Sequence, residues 1–197
     1  MTAARIVFVL HTLWWCLYLA GIAARRGDPD RSARADTVAS TRAAPLSRLA
    51  VVLHSVLIVG MYPLLWSATS APTAFEGAAG LRKAAAAVLL VGGAGLVGWT
   101  TRSFRSYRLR AHLDPGHELS TDGPFRYVRH PIYLAFILLG TGTALWAPTP
   151  ELIATAVGLA AVGDWRARGE ERLLSVGFGQ RYVEYMKTTR RLLPRVY

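Results

Sequence analysis

The stretch GPFRYVRHPIYLAF, residues 123–136, places two arginines, a histidine and a proline directly before a long apolar run. Proline suits the first turn of a helix, where its missing N–H is not needed. Arg129 and His130 then lie at the N-terminus of that helix, where unpaired backbone N–H groups and the helix dipole favour an anionic partner. The pattern predicts a helix that begins at Pro131 and enters a membrane from a charged surface. The alternative is a helix start at which the arginine and tyrosine side chains serve only as interfacial anchors.

The composition is typical of a membrane protein. Hydrophobic residues make up 52% of the 197-residue chain, which is more than ordinary soluble domains contain. A straight transmembrane helix needs about 20 apolar residues, and the first two of five apolar segments meet that length. The last two are short and joined by a proline-containing turn, which predicts a helical hairpin. The five segments are residues 3–24, 46–67, 84–101, 131–146 and 151–165.

These segments predict an all-α integral membrane protein with about five transmembrane helices. Residues 1–101 would hold three of them. Residues 102–197 would hold the hairpin and a C-terminal helix on the membrane surface, because the stretch 177–185 has an amphipathic pattern.

The basic residues predict the orientation of the chain. The formal net charge is +11, but the arginines and lysines lie in clusters between apolar runs rather than in one patch, which argues against a nucleic-acid-binding protein. All but Arg5, Arg82 and Lys83 fall within residues 25–48, 102–129 and 166–195. Because basic loops remain in the cytoplasm, these three regions would face the cytoplasm, with the N-terminus outside and the C-terminus inside.

Several smaller patterns favour structural interpretations. The third segment contains a G-x-G-x-x-G match at residues 93–98, but it lies within an apolar helix rather than between a strand and a helix, so it predicts close helix packing and not a dinucleotide site. His11 and His54 lie in apolar segments and are expected to be polar residues with partners inside the protein. No set of His, Cys and carboxylate residues has metal-ligand spacing, and no metal is predicted.

A second charged cluster follows the fifth apolar segment. Arg166 and Glu170 are four residues apart and therefore share one face of a helix. They form either a surface ion pair of little energetic value or two recognition groups in one pocket. The hairpin would bring them to the same membrane face as Arg129 and His130, and two charged clusters that meet at a lipid interface indicate a functional site.

The two clusters together resemble a known family. The stretch HELSTDGPFRYVRHPIY at residues 117–133, the element EERLL at residues 170–174, Phe178-Gly179, Tyr182 and the final RLLP at residues 191–194 resemble the isoprenylcysteine carboxyl methyltransferase and phospholipid methyltransferase superfamily. The resemblance covers about residues 103–194. It implies an integral membrane methyltransferase with a cytoplasmic pocket for S-adenosyl-L-methionine.

Carried over residue by residue, the resemblance implies two groups of site residues. Arg166 would orient the carboxylate of the substrate, and Glu170 would hold the cofactor. Phe125 stands where the family usually has tyrosine, so a hydroxyl contact is missing there. We place Arg129 near the carboxylate of the cofactor on physical grounds. The predicted cofactor-binding residues are His117, Glu118, Leu119, Ser120, Phe125, Arg129, His130, Pro131, Ile132, Tyr133 and Glu170.

The predicted activity is S-adenosylmethionine-dependent methyl transfer to a lipophilic acceptor delivered by the membrane, with carboxyl O-methylation of an isoprenylcysteine-like substrate as the first choice. N-methylation of a phospholipid such as phosphatidylethanolamine is the second. A membrane scaffold or lipid-binding protein without activity is the third. The predicted partners are a prenylated or other lipophilic substrate and membrane lipid, with no nucleic acid and no metal.

Overall fold

The computed structural model describes residues 3–23, 41–42, 45–70, 79–103, 112–113 and 119–197. This part of the chain is almost entirely helical, as predicted. Two-residue strands, β1 (Thr41–Arg42) and β2 (His112–Leu113), form a short antiparallel pair. The helices are α1 (Ala3–Ala23), α2 (Pro45–Ser70), α3 (Ala79–Ser103), α4 (Pro131–Trp146), α5 (Pro150–Phe178) and α6 (Gln180–Thr188), with a 3-10 turn at Gly123–Arg126.

Within the described residues, three helices are long and apolar enough to cross a membrane: α1, α2 and α3. Helix α4 begins at Pro131 and ends at Trp146 as predicted, but its 16 residues are about 24 Å long, shorter than a hydrocarbon core of about 30 Å. The predicted number of five membrane crossings therefore stays a prediction.

Helix α5 extends beyond the fifth apolar segment. That segment was predicted to end at Trp165, with Arg166 and Glu170 on one helix face after it, and the helix runs for 29 residues to Phe178. The charged stretch that follows the apolar part contains good helix formers and no Gly-Pro break, so the backbone continues as the environment changes. The helix ends at Gly179, whose φ of +53° suits glycine, and α6 follows.

Close helix contacts surround α3 and α4. A Cβ atom added at Gly93 of α3 would lie 3.2 Å from Nε1 of Trp14 and 3.3 Å from the carbonyl oxygen of Ala135. One added at Gly142 of α4 would lie 2.9 Å from Cγ of Leu90. Gly93 therefore serves packing, as the predicted interpretation of the G-x-G-x-x-G match requires. Gly95 of the same match has no neighbour within 4 Å of such an atom.

Buried polar side chains join α1, α2 and α4. Nδ1 of His11 lies 3.0 Å from the hydroxyl of Tyr62, and Nε2 lies 3.0 Å from Oγ1 of Thr143. Trp15 donates its indole N–H to the same Tyr62 hydroxyl. His11 thus has partners on both ring nitrogens, as predicted for it.

The two ends of the helix bundle differ in what they hold. At one end, Arg82 at the start of α3 donates to the carbonyls of Leu145 and Trp146 and so caps α4. At the other end, the last turn of α3 meets the 3-10 turn, and Trp99 lies 6.0 Å from the ring of Tyr127. This second end gathers the C-termini of α1 and α3 and the N-termini of α2 and α4, next to which the basic regions lie in the sequence. Which side of the membrane it faces stays a prediction.

Candidate functional site

The segment that leads into α4 is fixed at both ends. Gly123 has a φ of +61°, and a Cβ atom there would lie 2.3 Å from Oγ of Ser103, so the turn needs glycine in both conformation and space. Val128 then forms a parallel bridge with Arg190. The backbone N–H of Arg129 donates to the carbonyl of Arg190 at 2.7 Å, and that of His130 to the carbonyl of Arg191 at 3.1 Å. The C-terminal tail thereby holds the start of α4.

Glu171 is the centre of a buried ionic cluster on α5. Its Oε1 accepts hydrogen bonds from Nε and Nη2 of Arg129 at 2.8 Å, and its Oε2 accepts from Nη2 and Nε of Arg191 at 2.8 and 3.0 Å. The carboxylate side chain is only 8% exposed. Two bonds from each guanidinium fix the geometry more strongly than a single contact would. This cluster ties α5, the start of α4 and the tail together.

Glu170, one residue earlier, faces a different set of groups. Its Oε1 accepts a hydrogen bond from the Tyr133 hydroxyl, and its Oε2 lies 3.6 Å from Nδ1 of His130. The ring of Tyr133 stacks on that of His130 at a centroid distance of 5.6 Å. Unlike Glu171, the Glu170 side chain is 28% exposed, so this carboxylate remains accessible to a ligand.

Arg166 lies one turn before Glu170 and covers the other side of the tyrosine. Its guanidinium carbon is 4.9 Å from the centroid of the Tyr133 ring, a cation–π distance. Among the described residues it has no hydrogen bond and forms no direct ion pair with Glu170. A guanidinium offers five N–H donors in a planar fork, and here that fork is available for an anionic ligand.

Burial and charge set the ionisation of the cluster. Burial alone would raise the pKa of the Glu170 carboxyl, but the hydrogen bonds from His130 and Tyr133 and the positive charges of His130 and Arg166 outweigh it and hold the pKa below its ordinary value. Burial alone would lower the pKa of His130, yet the two glutamates beside it raise the pKa instead. The pKa of Glu171 is likewise held far below its ordinary value by His130, Arg191 and Arg129, against the effect of burial.

The structure brings four of the predicted site residues into direct contact: His130, Tyr133, Arg166 and Glu170. The predicted role of Arg129 is not tested, but its guanidinium is engaged by Glu171 and by the carbonyls of Met186 and Thr189.

The other predicted positions are spread around this group. Leu119 and Ser120 are half-buried in the segment before the 3-10 turn. Phe125 is buried, and its carbonyl accepts a hydrogen bond from the hydroxyl of Tyr185 at 2.6 Å. Pro131 and Ile132 are buried in the first turn of α4. His117 and Glu118 lie outside the described residues.

A comparison with protein families gives this arrangement a context. Residues 81–181 match the phospholipid methyltransferase family. The chain belongs to the phospholipid methyltransferase family. The matched residues include α4, α5 and the cluster residues Arg129, His130, Arg166, Glu170 and Glu171, but end before Arg191 of the tail.

Similar proteins in this part of the family come from plants. The chain is 33% identical over 94 residues to a probable protein-S-isoprenylcysteine O-methyltransferase of Oryza sativa, which is 47% of this chain and 49% of the relative. It is 34% identical over 85 residues to protein-S-isoprenylcysteine O-methyltransferase B of Arabidopsis thaliana, which is 43% of each chain. The chain thus spans about half the length of the curated relatives it matches.

Two features of this phospholipid methyltransferase family member escaped prediction from the sequence. The adjacent acidic pair suggested one functional carboxylate, but a step of about 100° around a helix turns Glu171 towards Arg129 and the tail. His54 was expected to have partners inside the protein. That expectation is wrong, because both of its ring nitrogens are buried without a hydrogen-bond partner among the described residues.

Proposed function

We propose that this chain is an S-adenosylmethionine-dependent methyltransferase that esterifies the carboxylate of a lipophilic, membrane-borne acceptor of the S-prenylcysteine type. The observation that carries the proposal is the Arg166 guanidinium, which lies over Tyr133 with no hydrogen bond among the described residues and one turn from Glu170. A free arginine fork beside an apolar helix surface suits a carboxylate attached to a long apolar chain.

The residues around Glu170 fit the proposed cofactor. S-adenosylmethionine carries two cationic groups, an ammonium and a sulfonium, and one carboxylate. The partly exposed carboxylate of Glu170, ionised at neutral pH because of its lowered pKa, suits the ammonium. The N-terminus of α4, where His130 at the N-cap position makes no side-chain cap hydrogen bond, suits the carboxylate. Leu119, Ser120, Phe125 and Ile132 would complete the binding wall that the family resemblance implies.

The chemistry asks little of the protein beyond alignment. When bound, S-adenosylmethionine supplies a methyl group on a positively charged sulfur, from which a carboxylate oxygen can take it as the carbon–sulfur electron pair returns to sulfur. Because a carboxylate is ionised at neutral pH, no general base is needed. Arg166 would fix the direction of the acceptor, and the helix interface would exclude water. Arg129 and Glu171, which do not face the ligand in this scheme, would keep α4 and α5 in register.

The acceptor would come from the bilayer. The outer faces of α2 and α5 carry exposed apolar side chains such as Val56, Val59, Ile153 and Val157, which suit lipid contact. The plant relatives bear names that specify isoprenylcysteine O-methylation, and Arg166 is the residue that makes a carboxylate the fitting acceptor here. The family also includes enzymes named for phospholipids, which supplies the competing acceptor.

The test uses membranes that contain the full chain, S-adenosylmethionine labelled on its methyl group, and two acceptors: an S-prenylated N-acetylcysteine and phosphatidylethanolamine. After incubation the products are treated with base, and volatile label is collected, because a methyl ester releases methanol whereas an N-methyl group does not. Arg166→Gln is compared with Arg172→Gln. Arg172 is an exposed arginine on the same helix whose side chain, among the described residues, donates only to the carbonyl of Arg168.

The proposal expects volatile label from the prenylated cysteine, at least a tenfold drop for Arg166→Gln, and an unchanged rate for Arg172→Gln. Base-stable label in the phospholipid would show that the activity is N-methylation and not carboxyl methylation. Equal rates for the two arginine variants would remove Arg166 from acceptor binding.

A further inference from the structure

Helix α2 carries a histidine, His54, that is buried without a hydrogen-bond partner among the described residues. The His54 side chain is 1% exposed, and neither Nδ1 nor Nε2 has a hydrogen-bond partner in the described part of the chain. His11, on α1 and equally buried, has partners on both nitrogens. Buried polar groups in folded proteins are nearly always paired, so the difference between these two histidines requires an explanation.

His54 lies directly beside the proposed acceptor site. Its ring centroid is 4.9 Å from that of Phe136 and 6.1 Å from that of Tyr133. Tyr133 is the same ring that Arg166 covers at 4.9 Å. His54 and Arg166, from α2 and α5, therefore both lie against one tyrosine of α4.

The depth of His54 in α2 indicates which part of a ligand it would meet. It lies six residues after Arg48, the start of the apolar part of the helix, which is roughly 9 Å along the helix axis. Phe136, on its other side, belongs to the aromatic cluster with Trp14, Trp15 and Tyr18. His54 thus lies between the charged groups of α5 and the apolar interior, where the headgroup of a lipophilic acceptor would meet its chain.

We propose that His54 is an acceptor-binding residue that hydrogen-bonds the polar group next to the acceptor's carboxylate, and that this group is an amide. The inference rests on the proposed function. A neutral imidazole presents one donor and one acceptor nitrogen, and an amide presents one acceptor oxygen and one N–H. With the carboxylate held by Arg166, the amide on the neighbouring carbon of an N-acylated S-prenylcysteine pairs with His54, and the prenyl chain continues along Phe136 into the bilayer.

The experiment compares two acceptors in detergent-purified full chain. One is an S-prenylated N-acetylcysteine, and the other is the same S-prenyl chain on 3-thiopropionate, which keeps the carboxylate and thioether but has no amide. The variants are His54→Leu, His54→Gln, which retains a donor and an acceptor, and His11→Leu as the matched control. KM for each acceptor, binding of S-adenosylhomocysteine and the thermal midpoint are measured for each protein.

The proposal expects His54→Leu to raise KM for the amide acceptor roughly tenfold, the effect of one lost hydrogen bond, and to leave KM for the thiopropionate unchanged. His54→Gln should recover part of the loss. Because His54 has no hydrogen-bond partner to lose among the described residues, the thermal midpoint of His54→Leu should stay the same or rise, whereas that of His11→Leu should fall.

The inference is overturned if His54→Leu raises KM equally for both acceptors, or for neither. It is also overturned if His54→Leu loses as much thermal stability as His11→Leu. If the wild-type chain binds S-adenosylhomocysteine but methylates neither acceptor, the proposed substrate is wrong and the inference fails with it. If the wild-type chain methylates both and His54→Leu changes nothing, only the inference fails.

Discussion

Replacing Glu171 with glutamine removes the negative charge that Arg129, Arg191 and His130 share, and the size of the effect follows from their surroundings. The carboxylate is 8% exposed and Arg129 is 9% exposed, so buried Arg129 would be left without its counter-ion. Arg191, 18% exposed, would lose one of its two carboxylate partners in the described part of the chain. Breaking a buried ion pair from one side destabilises proteins by about 3–5 kcal/mol.

The lower end of that range applies here, because each arginine retains other partners. Arg129 still donates to the carbonyls of Met186 and Thr189, and Arg191 still reaches Asp164 at 3.2 Å. A loss of about 3 kcal/mol corresponds to a thermal midpoint lowered by about 6–12 °C for a chain of this size. The measurement is thermal unfolding of the purified protein in detergent, with size-exclusion chromatography as the readout of the folded fraction at each temperature.

Glu170→Gln is the matched control on the neighbouring residue. Glu170 is 28% exposed and, among the described residues, contacts Tyr133 and His130 but no arginine directly, so the thermal midpoint of Glu170→Gln should fall by less than half as much. Binding of S-adenosylhomocysteine should show the reverse order, lost in Glu170→Gln and retained in folded Glu171→Gln. A Glu171→Gln midpoint within about 2 °C of wild type would refute the assignment of Glu171 as the structural carboxylate.

Three further predictions concern pH, packing and the tyrosine. The pKa of His130 is raised above 6.5 and that of Glu170 is lowered below 4.5, so the stabilisation from both groups is complete from about pH 4.5 to 6.5. It is lost as pH falls through the lowered carboxyl pKa or rises through the raised imidazole pKa. The thermal midpoint should therefore fall above pH 6.5 in wild type but not in His130→Gln, and identical alkaline profiles would contradict this. Gly142→Ala should lower stability by about 1–3 kcal/mol in denaturant titration, because its Cβ would meet Leu90, whereas Gly95→Ala has open space and should not; equal effects would argue against the packing of α3 on α4. Tyr133→Phe keeps the ring under Arg166 but removes the hydrogen bond from the hydroxyl to Glu170. Calorimetry should therefore show about 3- to 10-fold weaker S-adenosylhomocysteine binding, with an unchanged KM for the acceptor. Unchanged S-adenosylhomocysteine binding would contradict a role for this hydrogen bond.

Local sequence signals were sufficient to predict where α4 begins. Pro131 and the preceding His130 define the start of α4 because a proline is favoured there and the residue before it is not helical. The end of the fifth apolar segment did not mark the end of α5, because the change from apolar to charged residues is a change of environment and not of backbone conformation. The break came only at Gly179, with its positive φ.

The contacts among His130, Tyr133, Arg166 and Glu170 follow from helix periodicity and the hairpin, both of which can be read from the sequence. Contacts across many residues could not be read in that way. The parallel bridge between Val128 and Arg190 is specified by packing over about 60 residues, and it is this bridge that delivers Arg191 to Glu171.

The contacts of His54 with Tyr133 and Phe136 also join residues that are far apart in the sequence. They depend on α2 packing against α5, and an apolar segment carries no sequence signal for which face of it meets a neighbour. The lack of hydrogen-bond partners at His54 among the described residues could be recognised only once α2, α4 and α5 were placed together.

Binding of S-adenosylmethionine by the charged cluster on α4 and α5 is tested most directly by isothermal titration of the purified chain with S-adenosylhomocysteine. We expect saturable binding to the wild type, at least tenfold weaker binding to Glu170→Gln, and unchanged binding to Arg172→Gln. A wild-type protein that is folded by its thermal transition and yet binds no S-adenosylhomocysteine would show that the cluster is not a cofactor site and would favour a membrane scaffold without methyltransferase activity.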